Sequence, residues 1–287
     1  MKTVSLVLGS GGARGLAHIG VIHWLESHDY VIKSISGCSI GALVGGIHAA
    51  GKLDEFEQWV RAITRRDILS LMDISWSRSG LLKGDRVINT LAELVGHQTI
   101  ETLPIRFTAV AADVQHEKEV WLTGGSLFDA IRASISLPLL LTPHKVNGLT
   151  LIDGGVLNPV PIAPTFSDDT ELTIAVNLGG AVEVRSTTET PSLDIEQPTA
   201  FNEKIAGFVR KLQTPTLPLP VIDWGVYDVA NQAFDAMQGT IARQKLAAYP
   251  PDIILEIARN ACGTLEFDRA AEMIELGYRT ADQVMSK

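Results

Sequence analysis

Gly37-Cys38-Ser39-Ile40-Gly41 is the stretch whose reading decides how this chain of 287 residues folds. Before it stands Val31-Ile32-Lys33-Ser34-Ile35-Ser36, which predicts a buried strand, and after it Ala42-Leu43-Val44-Gly45-Gly46-Ile47-His48-Ala49-Ala50 predicts an apolar helix capped by Gly51. Strand, sharp turn and helix around G-x-S-x-G is the context of a nucleophile elbow, which exposes a serine hydroxyl at a tight bend. Gly37 and Gly41 let the chain turn and a substrate approach, while the following helix points its positive end at the serine oxygen. Taken alone the pattern is weak, because Ser39 would serve equally well as that helix's N-cap.

Working outward, residues 4–8 predict a first buried strand, followed by Gly9-Ser10-Gly11-Gly12-Ala13-Arg14-Gly15 and a helix over 16–28 with Leu16, Ile19, Ile22 and Leu25 on one stripe. The result is a βαβ unit with parallel, adjacent strands. The glycine loop and the elbow then leave the carboxyl ends of neighbouring strands, where open α/β sheets bind ligands. Farther along, helices are expected over 53–66 and 85–95, a polar loop over 75–84, and strands over 105–111 and 119–122 around a turn containing Asp113. A helix over 126–134 ends before Leu137-Pro138-Leu139-Leu140-Leu141-Thr142-Pro143, where the prolines forbid its continuation. Strands over 149–152 and 172–177 follow, the first running into Asp153-Gly154-Gly155.

Beyond Gly180 the composition shifts to Ser, Thr, Glu and Pro, the signature of a mobile surface segment. The organisation expected is a catalytic core over 1–180, a mobile segment and connecting helix over 181–222, and C-terminal helices and a strand over 223–287 packed on that core, one domain overall. Within it a helix over 201–212, a long helix over 223–248, a strand over 253–257 and a terminal helix from 268 are predicted. The apolar face of the 201–212 helix suits a lid, an interfacial anchor or ordinary packing.

A formal charge of −9 without any basic run excludes a general nucleic-acid binder and gives no pull towards anionic lipid. Cys38 and Cys262 are too few for a disulfide framework, and no apolar run reaches bilayer length. The expectation is a soluble cytoplasmic protein, with peripheral contact at the inner membrane surface left open. No metal-ligand spacing appears, and acyl transfer to water needs no cofactor.

A serine hydroxyl becomes a nucleophile when a base takes its proton, and the tetrahedral intermediate needs donors aimed at its oxyanion. Consecutive amides in Gly11-Gly12-Ala13 suit the second need. For the base, Asp73 or Asp113 with His116 or His144 keeps a triad formally open, and His18, His23, His28 and His48 fall on predicted helices. Asp153 is the better candidate. Arg14 reads as a brace for the loop through carbonyls or a carboxylate, and Asp113 as a turn residue. A dinucleotide loop is a remote alternative, because Arg14 occupies the place of the third glycine of G-x-G-x-x-G and no acidic residue ends the second strand.

The glycine loop ending in Arg14-Gly15, the G-x-S-x-G at 37–41 and the Asp153-Gly154-Gly155 in mid-chain, in that order, resemble the patatin-like phospholipases, most closely the small bacterial members grouped with neuropathy target esterase. The resemblance extends to Ala133-Ser134-Ile135-Ser136-Leu137-Pro138 and Asn158-Pro159-Val160-Pro161. It implies a three-layer α/β/α fold with a mainly parallel sheet and a histidine-free dyad. Ser39 would attack an ester carbonyl of a phospholipid, lysophospholipid or other fatty acyl ester, Asp153 would accept its proton, and Gly11, Gly12 and Ala13 would hold the oxyanion. Ser10 departs from the three consecutive glycines that the family often carries, which implies an altered loop conformation. The other class open to this fold is a regulatory or partner-binding member with a weak site. An aspartate working as base near neutral pH is expected to be shielded from water, which raises its pKa.

Overall fold

In the computed structural model, which describes residues 1–71, 82–183 and 224–286, strands and helices alternate through most of the chain. The elements run β1 (Lys2–Leu8), α1 (Ala17–Ser27), β2 (Tyr30–Cys38), α2 (Ile40–Ala49), α3 (Leu53–Ala62), α4 (Arg65–Leu71), α5 (Asp85–Val95), β3 (Arg106–Asp113), β4 (Lys118–Leu122), α6 (Leu127–Ser134), β5 (His144–Val146), β6 (Leu149–Asp153), β7 (Leu172–Gly180), α7 (Trp224–Ala248), β8 (Ile253–Ala258) and α8 (Ala270–Met285). The sheet order is β5-β6-β3-β2-β1-β7-β8, with β4 paired to β3 off this path. From β3 through β2, β1 and β7 to β8 every pairing is parallel. The pairings β3–β4, β3–β6 and β5–β6 are antiparallel.

Side-chain alternation along β1 sets the layers, because successive residues of a strand point to opposite faces. Val4, Leu6 and Leu8 join the larger core with Ile19 and Ile22 of α1, Ile47 of α2 and Met273 of α8. Val7 points the other way, into a smaller core with Ala175, Ala242 and Leu246, the last two on α7. Helices therefore cover both faces of a mostly parallel sheet, the three-layer α/β/α arrangement that the sequence resemblance implies.

Several expectations take a different form. The periodicity over 53–66 continues unbroken, yet the helix stops at Ala62 and restarts at Arg65. Thr64 and Asp67 supply the restart: the Asp67 carboxylate accepts from the Thr64 backbone N–H and hydroxyl at 2.9 and 2.7 Å, a local alternative to continued helix. The helix expected from residue 16 begins as a 3-10 turn over Gly12–Leu16. Asp153 does not end a parallel strand, since β6 runs antiparallel to β3; only its last residues pair, Ile152 with Ala112 and Asp153 with Ala111 near the carboxyl end of β3. That overlap is what brings Asp153 to the ligand-binding end of the sheet. Asp73, most of the expected 75–84 loop, nearly all of the 181–222 segment and the 201–212 helix lie outside the described residues.

One packing feature went unread in the sequence. A Cβ on Gly20 of α1 would lie 1.9 Å from the Ile274 carbonyl oxygen, and one on Gly277 of α8 would lie 1.9 Å from the Ala17 oxygen. The two helices thus cross backbone against backbone, each using a glycine. We expect Gly277→Ala to force them apart and to lower stability by roughly 1–3 kcal/mol, as overpacking does. Chemical denaturation of both proteins measures it, and an unchanged midpoint would contradict this close crossing.

Candidate active site

The elbow is a strained turn held from several sides. Ser39 stands between β2 and α2 with φ 56° and ψ −125°, a conformation that costs an L-residue on the order of 1–3 kcal/mol unless its surroundings impose it. The surroundings do so. A Cβ on Gly37 would lie 2.4 Å from the Gly41 carbonyl oxygen, and one on Gly41 would lie 2.1 Å from that of Leu8, so only glycine fits at either place. The Ser39 N–H donates to Ser134 Oγ at 2.9 Å, and Ser134 Oγ in turn donates to the Val110 carbonyl at 2.6 Å. The Ser39 carbonyl accepts from Ala42 and Leu43 and starts α2. Although Ser39 occupies the N-cap position, its side chain caps nothing. Its hydroxyl turns instead to Asp153, with Oγ donating to Oδ2 at 2.5 Å.

Asp153 is fully buried. Its Oδ1 accepts from the Gly155 N–H at 2.8 Å, its own N–H donates to the Ser136 carbonyl at 3.0 Å, and Cys38 Sγ lies 4.0 Å from Oδ1. Burial raises its pKa to about 6, against the opposing effect of the hydrogen bonds from Ser39 and Gly155. The sequence-based expectation of a shielded aspartate and the structure agree in direction. A Cβ on Gly154 would lie 2.2 Å from the Val110 carbonyl oxygen, which makes this turn as tight as the elbow.

The glycine loop is pinned on either side of Gly11-Gly12. The Ser10 N–H donates to the Pro159 carbonyl at 2.8 Å, and the Ala13 N–H donates to the Thr264 carbonyl at 2.9 Å. Ala13 therefore has no amide to offer an oxyanion, and among the described residues only Gly11 and Gly12 of the expected trio have no acceptor assigned. Gly12, at φ +58°, lines the same cavity as Ser39. Arg14 points away from that cavity. It is 5% exposed and donates to the carbonyls of Arg259 and Cys262 and to Asp235 Oδ1 at 3.1 Å, the bracing role read for it. At Gly15 a Cβ would meet Ile40 Cγ2 at 2.1 Å, so its absence lets the loop lie against the start of α2.

From Ser39 and Gly12 a cavity of about 190 Å³ runs between α2, α3 and α5. Leu43, Trp59, Ile63, Leu91, Leu137 and Leu141 are among the side chains on its wall, which is almost wholly apolar. Phe56 and Val60 of α3, which belong to the larger core, also line this cavity.

Among the described residues no histidine hydrogen-bonds to Ser39. His18 is buried with Nε2 at 2.9 Å from the Gly9 carbonyl, and burial lowers its pKa to about 4, which keeps it neutral. His116 pairs with Asp113 at 2.7 Å, while Asp113 accepts from the N–H groups of Gln115 and His116 as a turn-former. His144 lies 3.2 Å from Asp129. Sequence reasoning missed Ser134, Pro159 and Thr264. The first two fall within motifs already noted, but nothing in residue type alone assigns a hydroxyl or a carbonyl to a distant loop.

With this geometry in hand, comparison with known proteins gives a consistent result. A family model described as patatin-like phospholipase matches residues 6–166. Uncharacterized NTE family proteins of Mycobacterium bovis and Mycobacterium tuberculosis are 39% identical over 337 aligned positions, which cover 98% of this chain and 91% of theirs. A lysophospholipase NTE1 of Pyricularia oryzae is 27% identical along 100% of this chain, which spans 18% of that protein. The crystal structure of VipD from Legionella pneumophila shares the fold, with a TM-score of 0.51 at 15% identity over 99% of this chain and 66% of that one. Ordered motifs, three-layer architecture and family model agree, and this chain belongs to the patatin-like phospholipase family.

Proposed function

We propose that this protein hydrolyses a fatty acyl ester of a phospholipid or lysophospholipid through a Ser39–Asp153 dyad. The observation that carries the reading is the 2.5 Å hydrogen bond from Ser39 Oγ to a buried Asp153 carboxylate, beside an apolar cavity suited to an acyl chain. Asp153 takes the hydroxyl proton as Oγ attacks the ester carbonyl, and the amides of Gly11 and Gly12 receive the developing oxyanion. Asp153 then protonates the departing alcohol oxygen, leaving an acyl group on Ser39. A water molecule, deprotonated by Asp153, attacks that acyl group; the fatty acid leaves and Ser39 regains its proton. The names of the lysophospholipase relatives support a lipid with a single acyl chain.

The cavity rim supports contact with a lipid surface. Leu137, Leu140 and Leu141 line the cavity, while Leu139 between them is 63% exposed with φ 67°. The Leu140 N–H closes the turn on the Leu137 carbonyl at 3.1 Å. Proline second and a positive φ third is the pattern of a type II turn, whose third place normally takes glycine or asparagine. A leucine there bears both backbone strain and the cost of apolar surface held in water, and insertion into an acyl layer would relieve the second, by about 1.5–3 kcal/mol for full burial. Among the described residues no helix is long and apolar enough to cross a membrane. With a formal charge of −9, contact at Leu139 is apolar rather than electrostatic.

Ser39→Ala is expected to abolish release of fatty acid from a lysophospholipid, and Asp153→Asn to lower it by about 10²–10⁴, the range typical of a general base. Because only the ionised carboxylate accepts a proton, kcat/KM should rise with pH through about 6 and then level. Hydrolysis that survived in Asp153→Asn but vanished in Ser39→Ala would move the base elsewhere. If folded wild type neither hydrolysed esters nor reacted with a fluorophosphonate, the protein would instead be a regulatory or partner-binding member of the family. For the rim, Leu139→Asn should cut turnover of lipid in zwitterionic vesicles roughly tenfold while a soluble short-chain ester is cleaved as before. Equal loss on both substrates would remove the lipid-surface reading.

A further inference from the structure

Gly11 and Gly12 have no side chain of their own to hold their backbone, yet an oxyanion donor acts only when held close to its working position. Something must fix them. Asn231, Asp235 and Gln238 recur at helical spacing along one face of α7, and each grips the glycine loop or its support. Gln238, 7% exposed, donates from Nε2 to Ser10 Oγ at 3.1 Å. Asp235 accepts from Arg14 at 3.1 Å. Asn231 donates to Thr264 Oγ1 at 3.0 Å, and the carbonyl of that same Thr264 holds the Ala13 amide. Gln238 also reaches the acid's side of the site, since a Cβ on Gly155 would lie 2.1 Å from its Nε2.

We propose that this polar face of α7 is a clamp that sets Gly11 and Gly12 against the dyad, with Gln238 acting through Ser10 as its central positioning residue. Ser10 supplies the hydroxyl that a glycine there would lack, so the departure of this loop from a run of glycines and the buried glutamine form one device. The proposal rests on the dyad mechanism and adds to it that the donor loop is positioned from α7. A clamp of this kind acts where charge develops, in the transition state, so its loss appears in kcat rather than in KM.

The test compares Gln238→Met, which keeps length and volume but cannot hydrogen-bond, with Ser10→Ala and the double variant, on a soluble chromogenic ester. Each single variant should lower kcat about tenfold with KM within twofold, and the double variant should lose no more than either alone, because both remove one link. The rate of inactivation by a fluorophosphonate, whose phosphoryl oxygen takes the oxyanion's place, should fall in parallel. Gln238→Glu, which can accept from the Ser10 hydroxyl, should restore part of kcat. Losses that multiply in the double variant, a change confined to KM, or unchanged kcat would overturn the clamp. If Gln238→Met does not fold, Ser10→Ala against wild type carries the same test. Failure of the dyad reading is separable, since it shows as an inactive wild type or as activity kept in Ser39→Ala or Asp153→Asn, whereas failure of the clamp shows only in Gln238 and Ser10 variants of an active enzyme.

Discussion

A carboxylate with no exposure to solvent and no cation against it among the described residues is the constraint from which the centre of this molecule follows. Burial raises the Asp153 pKa, and the hydrogen bonds from Ser39 and Gly155 oppose that effect. To donate, Ser39 has to point its hydroxyl out of β2 and back towards β6, which demands a positive φ. A positive φ at this place in turn demands a turn so tight that residues 37 and 41 have no room for a side chain. The G-x-S-x-G pattern is thus the local consequence of where an acid more than a hundred residues away must sit.

The same constraint explains which parts of the site were legible in the sequence. Tight turns leave a signature because only glycine tolerates them, so Gly37, Gly41, Gly154 and the glycine loop announce themselves. Apolar periodicity likewise revealed most helices and strands, since burial of one face is a property of each segment on its own. What stayed hidden depends on two segments at once. The antiparallel entry of β6, the amide of Ala13 turned to Thr264, and the Ser134 hydroxyl under Ser39 are each decided by a partner far along the chain. The break at Thr64 was hidden differently: a short hydrogen-bonding side chain offers its backbone a second choice that an apolar period does not register.

Apolar stripes were legible as stripes but not as walls. Ile63 and Leu91 fall within the helical patterns expected over 53–66 and 85–95, and in the structure they join the core and also face a cavity beside Ser39. Pattern alone cannot separate the two, because a side chain that meets an acyl chain and one that meets another leucine obey the same physics.

The attachments of the glycine loop have a further consequence. Residues 10–14 are tied to Pro159, Asp235, Gln238, Arg259 and Thr264, and α1, which follows the loop, is seated on α8. A growing polypeptide leaving the ribosome would expose Ser39 early, and Asp153 with Pro159 much later, but the donor loop would lack its other moorings until residues 235–264 had emerged. On the proposed mechanism, a chain that had emerged only as far as Asp153 would carry its nucleophile in a harmless state, and hydrolytic competence would arrive only once the segment through Thr264 had followed.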